Sequence, residues 1–143
     1  MATLEVNNKQ LRLIQSALDL YSRIGIGQFE VIKEHPTFER HLANQLIDKD
    51  GKTDYGQYHT VRDSVDLMLV QPRNMLIQEP NHPQNGSWGI HNPKVDETCR
   101  DAYDLIQVIR HEFWKAQSEP TNHTVDSSVH LTNEDSNNIK VTL

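Results

Sequence analysis

Two short runs hold the side chains best suited to chemistry. Ser22-Arg23-Ile24-Gly25-Ile26-Gly27-Gln28-Phe29 and Gly86-Ser87-Trp88-Gly89-Ile90-His91-Asn92-Pro93 each join glycine, an aromatic ring and polar hydrogen-bonding groups at a break between regular elements. Four of the six glycines fall in these runs, so backbone freedom and polar side chains coincide. Glycine lets a ligand approach the main chain and lets N–H groups point outward. Tryptophan offers a stacking face, asparagine both a donor and an acceptor, and arginine a fork that fits phosphate. That is the chemistry of holding a polar small molecule. No nucleophile–base set and no metal cluster accompanies the runs, so binding without turnover is the expectation, with no catalytic residue, no metal and no cofactor.

Other motifs dissolve on counting. Gly51-Lys52-Thr53 resembles the end of a phosphate-binding loop, but Leu46 stands where the leading glycine belongs. Asp48-Lys49-Asp50-Gly51 hints at a calcium loop, but Leu46 falls at its first ligand position. His111-Glu112 opens like a zinc-protease helix, yet position 115 is lysine. The eight histidines are scattered without helical ligand spacing. The single cysteine, Cys99, excludes an internal disulfide and lies in an apolar helical pattern, which makes a buried thiol the expected role.

The 143 residues suit one domain, 1–143. Only 36% are hydrophobic and 6% aromatic, which predicts a small core and burial between subunits. A net charge of −6 argues against a sequence-independent binder of duplex nucleic acid, which needs a basic field. No signal peptide and no membrane-spanning run is visible, so a cytoplasmic protein with no membrane partner is expected.

The elements that must position these groups follow from periodicity. Thr3–Val6 alternates and suits a strand. Asn7 is an N-cap with Gln10 as its box partner, and Leu11, Ile14, Leu18 and Tyr21 form one helical face that Gly25 ends. A short helix holds Phe29, Val31 and Ile32, and Pro36 starts another with Phe38, Leu42 and Leu46. A helix over 58–70 aligns Tyr58, Val61, Val65 and Met68 and stops before Pro72. The longest helix, 96–116, buries Cys99, Ala102, Ile106, Ile109 and Phe113. Beyond Thr124 the period becomes two, with Ile139, Val141 and Leu143 alternating again after a polar turn, which reads as a hairpin. The predicted fold is therefore α+β: a small antiparallel sheet of the N-terminal strand and the C-terminal hairpin, with strands at 3–6, 124–132 and 138–142, packed by several helices.

One face of that hairpin would carry Thr124, Asp126, Ser128, His130 and Thr132, either a solvated outer face or the polar wall of a pocket. Arg110 sits at the edge of the long helix's buried stripe, from which an arginine can reach a phosphate. Plainer roles stay open: Gly25 and Gly27 as helix punctuation, Trp88 as a core plug, Asn92 as a turn former.

The runs Leu20-Tyr21-Ser22-Arg23-Ile24-Gly25-Ile26-Gly27-Gln28-Phe29, Trp88-Gly89-Ile90-His91-Asn92-Pro93 and Ala102-Tyr103-Asp104-Leu105-Ile106-Gln107-Val108-Ile109-Arg110-His111 together resemble small phage proteins. They are similar to the first Thoeris anti-defence family, the cyclic-nucleotide sponges, from about Leu4 to Leu131. The resemblance implies a non-enzymatic protein that sequesters a cyclic ADP-ribose isomer in the host cytoplasm, as a homodimer or trimer of dimers. It also implies a separate site for cyclic di- or trinucleotides of CBASS signalling. Carried onto this chain, the main pocket would use Trp88, Asn92 and Arg110, with Tyr103, Ser128, His130 and Thr132 as weaker wall candidates. His130 stands nearest to a second family arginine that has no match. Arg23, Gly25, Gly27 and Gln28 would form the second nucleotide site, since amides at a helix start can receive phosphate. Two rivals remain: an accessory or regulatory protein acting on another protein, and a hydrolase of the same signal.

Overall fold

A computed structural model describes residues 4–47, 49–77, 86–116, 131–132 and 139–143. These contain four α-helices, α1 (Asn8–Gly25), α2 (Pro36–Gln45), α3 (Tyr55–Ile77) and α4 (Glu97–Lys115), and a single 3-10 turn at Phe29–Ile32. The chain forms two compact units: Met1–Ile26 with Trp88–Leu143, and Gly27–Ser87.

The first unit is built on α1 and α4. Asn7 caps α1, accepting from the Gln10 N–H at 2.9 Å while the Gln10 side chain accepts from the Asn7 N–H. The two helices run antiparallel. At one end the Arg12 guanidinium lies 4.0 Å from the centre of the Phe113 ring; at the other Tyr21 and Thr98 share a 2.8 Å hydrogen bond. A Cβ built on Gly25 would stand 2.1 Å from Cys99 Sγ, so Gly25 does more than stop a helix. Its missing side chain lets α1 and α4 close over the cysteine, which is 5% exposed. The stripe expected on α4 is the core: Cys99, Ala102, Ile106, Ile109 and Phe113 are buried, joined by Val95 and Trp88.

The α+β expectation is overturned, because the described residues contain no strand and no sheet. Residues 4–6 are an irregular lead-in to the α1 cap, and 139–143 are irregular as well. Positions 124–130 of the expected hairpin lie outside the described residues. The physical reason shows at Thr132. Its backbone N–H, which a ladder would use, donates at 2.8 Å to the carboxylate of Asp104, a fully buried α4 residue. Alternation shows only that a segment has two faces; a strand also needs a neighbour to take its main-chain hydrogen bonds. Among the described residues, β pairing is limited to a single antiparallel bridge between Ile47 and Thr53 in the loop before α3.

In the second unit, the 3-10 turn packs on α3. Lys33 is ion-paired with Asp66, and Arg62 lies 3.7 Å from Glu34. Gly27 takes φ +88°, a left-handed geometry that favours glycine, and a Cβ there would meet Ile77 Cδ1 at 2.9 Å. Helix α3 starts earlier than expected because Asp54 accepts from the Gln57 N–H at 3.1 Å. It also runs through Pro72 to Ile77. Pro72 lacks the N–H that would bond back one turn, but it lies on the exposed side, where water can serve the orphaned carbonyl. Its inward face is Tyr58, Val61, Val65, Leu69, Arg73 and Ile77, whereas Met68, expected inward, is 74% exposed. No helix among the described residues is long and apolar enough to cross a membrane.

Candidate functional site

In the first unit a polar cavity of about 290 Å³ opens at the start of α4. His91, from the loop ahead of the helix, Glu97 and Arg100, from its first turn, and Thr132, from the C-terminal segment, line it. The loop is held by one bond to the end of α1 and by short bonds of its own. The Trp88 N–H donates to Ile26 O, the Asn92 N–H to Gly89 O and the Val95 N–H to Asn92 O, at 2.8–2.9 Å. Asn92 Oδ1 accepts from the Lys94 N–H at 2.9 Å, an Asx turn that fixes the chain beside His91. Asp96 then caps α4 through the Thr98 N–H at 2.9 Å.

One buried atom of a lining residue stands out. Thr132 Oγ1 is buried without a hydrogen-bond partner. Such an orphan is rare in native proteins and costs about 1–3 kcal/mol when left unsatisfied. The Asp104 carboxylate holds the Thr132 backbone. With Arg100 as the cation and His91 as a further donor or acceptor, the cavity offers charge-assisted and neutral hydrogen bonds to a compact polar anion.

The expected site residues are only partly brought together. Thr132 lines the cavity, and Asn92 lies next in sequence to His91 on its wall. Trp88 is 7% exposed, its ring under Lys94 Nζ at 5.9 Å from the centroid, so within one protomer it is mainly core. Tyr103 is half-buried in the middle of α4. Arg110 is exposed and lies fourteen residues beyond the Asp96 cap, about 20 Å along the helix. One protomer therefore does not bring Arg110 to Asn92. Ser128 and His130 lie outside the described residues. Arg100, Glu97 and His91 were missed by the sequence reading; a cation one turn into a helix that follows a polar loop was the available signal for Arg100. Trp114 was missed as well. It is one turn from Arg110, stacks on His111 at 5.5 Å, and holds a buried Nε1–H without a partner.

Each residue of the expected second site has a structural role. Arg23 pairs with Asp19 at 2.7 Å, Gly25 accommodates Cys99, Gly27 makes the left-handed turn, and Gln28 Nε2 donates to Ser87 Oγ at 3.2 Å. The Ile26 N–H turns back to Ser22 O at 3.2 Å. A larger cavity of about 540 Å³ lies in the second unit. Glu30, Asp63 and Asp66 line it against Lys33 and Arg73. Three carboxylates and a closed Lys33–Asp66 pair make it a poor host for a diphosphate, so the smaller cavity is the candidate site. Among the described residues no three His, Cys, Asp or Glu side chains converge as metal ligands.

Two groups here have shifted ionisation. Burial raises the Cys99 thiol, with the Asp96 charge adding to it, so this cysteine is a packing residue with little thiolate. The Thr98 hydroxyl, and then its N–H, hold the exposed Asp96 carboxyl below the ordinary aspartate range. A lowered folded-state value means the cap stabilises α4 above that ordinary range and loses this contribution as pH falls through the folded value. Acid titration of the urea midpoint should therefore show a loss below the ordinary aspartate range, and Asp96→Asn, which keeps the cap, should shrink it. Identical pH profiles for the two proteins would refute this role.

No protein-family model, curated protein or solved structure matches the chain.

Proposed function

We propose that the protein binds a cyclic ADP-ribose-type signalling nucleotide at the cavity before α4 and sequesters it unchanged, blocking Thoeris anti-phage defence in the host cytoplasm. The observation that carries this reading is a polar cavity that holds Arg100 and is lined by Thr132, a residue whose buried hydroxyl has no partner. A cyclic ADP-ribose presents a diphosphate, ribose hydroxyls and a base. These call for a cation, hydroxyl and amide partners, and an aromatic face. Arg100 meets the first, and Thr132 and His91 the second, with Asn92 beside His91 in the sequence.

The cavity is small for the whole ligand. At about 290 Å³ it sits at the bottom of the range of about 300–1,000 Å³ seen for ligand pockets. It would grip the phosphate and ribose part, and a second copy would supply further walls, which fits the proposed dimer or trimer of dimers. Arg110 and Trp114, at the far end of α4, are the groups such a copy could contribute. Because Arg23, Gly25, Gly27 and Gln28 already have structural partners, the proposal does not extend to a cyclic di- or trinucleotide site there.

A sponge must outcompete a sensor, so nanomolar affinity, about −12 kcal/mol, is the scale required. Incubation with cyclic ADP-ribose isomers should deplete free ligand stoichiometrically, and heating the complex should return it chemically intact. Recovery of linear ADP-ribose would make the protein a hydrolase. No depletion of any isomer would leave the regulatory, protein-binding reading in its place.

A further inference from the structure

The cavity of about 540 Å³ in the second unit has no part in the nucleotide reading. Its size falls inside the range of about 300–1,000 Å³ of ligand pockets. One side is the 3-10 turn and the residue after it, with Phe29, Glu30 and Lys33. The other is α3, where Asp63, Asp66, Val70 and Arg73 recur at steps of three or four, so one helical face meets the turn. Two ion pairs tie the two sides together. Lys33, whose side chain is 13% exposed, is paired with Asp66, and Arg62 lies 3.7 Å from Glu34. The cavity is thus preformed, which spares a ligand the cost of ordering it.

The charges that line it do not cancel. Lys33 answers Asp66 and Arg73 is a second cation, but Glu30 and Asp63 add two more carboxylates, so one negative charge is in excess. Neither the Glu30 nor the Asp63 carboxylate has an ion pair or a hydrogen-bond partner among the described residues. Both residues are exposed, whereas Arg73 is buried.

A merely solvated acidic patch would have no apolar walls. This cavity has them: Phe29, Leu69 and Val70 line it half-buried, and Leu67 lines it while 67% exposed. An apolar body laid against that surface would remove it from water, which is favourable. A positive group would answer the carboxylates by charge-assisted hydrogen bonds, and the face of an aromatic ring such as Phe29 also attracts a cation. An anion would meet the excess negative charge, and a neutral molecule would leave it unanswered.

We propose that the cavity between the 3-10 turn and α3 binds a small organic cation, an ammonium or guanidinium group carried on an apolar body. The proposal is independent of the nucleotide reading. Its test uses the full chain and phenethylammonium, with phenethyl alcohol and phenylacetate as neutral and anionic counterparts of the same ring. In ligand-observed NMR titrations phenethylammonium should bind saturably, and the other two at least about tenfold more weakly, the worth of one charge-assisted hydrogen bond. Glu30→Gln/Asp63→Asn should weaken phenethylammonium binding by about tenfold or more on the same grounds. Helical circular dichroism should stay unchanged, because both residues are exposed. Leu67→Asn should weaken binding about threefold or more by removing apolar wall. Glu5→Gln makes the same charge change at an exposed position outside the cavity and should leave affinity unchanged. Absence of phenethylammonium binding would overturn the proposal, as would equal binding of the alcohol. So would unchanged affinity in the double variant or in Leu67→Asn, and so would a loss in Glu5→Gln as large as in the double variant, which would reveal only general attraction to an acidic protein.

Discussion

Gly25→Ala should destabilise the protein by about 1–3 kcal/mol, the usual effect of forcing extra volume into a closed contact, and Gly25→Val by more. The added Cβ would stand 2.1 Å from Cys99 Sγ and 2.8 Å from Cys99 Cβ, both inside van der Waals contact. Neither side can easily yield. Cys99 is buried, and the helix ends are tied on one side by the Tyr21–Thr98 hydrogen bond and on the other by the Ile26 N–H returning to Ser22 O. A loss of this size is a large share of the stability of a small domain, about 5–15 kcal/mol. Cys99→Ala should rescue part of the defect, because it removes the sulfur, the nearer atom, but leaves the Cβ at 2.8 Å. Urea midpoints of the two single variants and the double variant read this as a coupling energy. An unchanged midpoint for Gly25→Ala would show that Gly25 only ends a helix and that α1 and α4 can separate at no cost.

The second large effect concerns ligand binding. Arg100→Gln should weaken binding of a cyclic ADP-ribose isomer roughly 10- to 100-fold, the worth of one or two charge-assisted hydrogen bonds. Arg100→Glu should abolish it, because a second carboxylate would join Glu97 in the cavity proposed to hold the diphosphate. Asn92→Trp should fold, since Asn92 lies in a half-exposed turn, and should lose affinity by blocking the approach beside His91. Arg110→Gln is the informative comparison. Arg110 is exposed and about 20 Å along α4 from the cap, so a site confined to one protomer predicts unchanged affinity. A loss equal to that of Arg100→Gln would mean that a second copy completes the pocket. Isothermal titration separates these results, and unchanged affinity in both Arg100 variants would refute the site.

The sequence alone determined the helices and most of their ends. Asn7 with Gln10, Pro36 and Asp96 act through bonds to main chain a few residues away, so type and spacing suffice to read them. The α4 stripe from Cys99 to Phe113 was equally legible, since a period of 3.6 marks one buried face. Pro72 misled because a proline's effect depends on which side of the helix it lies, and that is set by packing.

The tertiary structure decided the rest. Alternation beyond Thr124 suggested a strand, but the Thr132 N–H found the Asp104 carboxylate, a partner twenty-eight residues away that no local pattern announces. Gly25 read as a stop signal; only the approach of α4 shows that its lost side chain makes room for Cys99. Local chemistry marked the loop around Asn92 as a candidate ligand site and chose Arg110 as its cation. Arg110 lies at the far end of α4, and Arg100 became visible as a cavity residue only when His91, Glu97 and Thr132 were brought around it. Short-range hydrogen bonds and helical period are encoded within a few residues. The shape of a site depends on segments distant in sequence, and the packing of α1 on α4 sets where they meet.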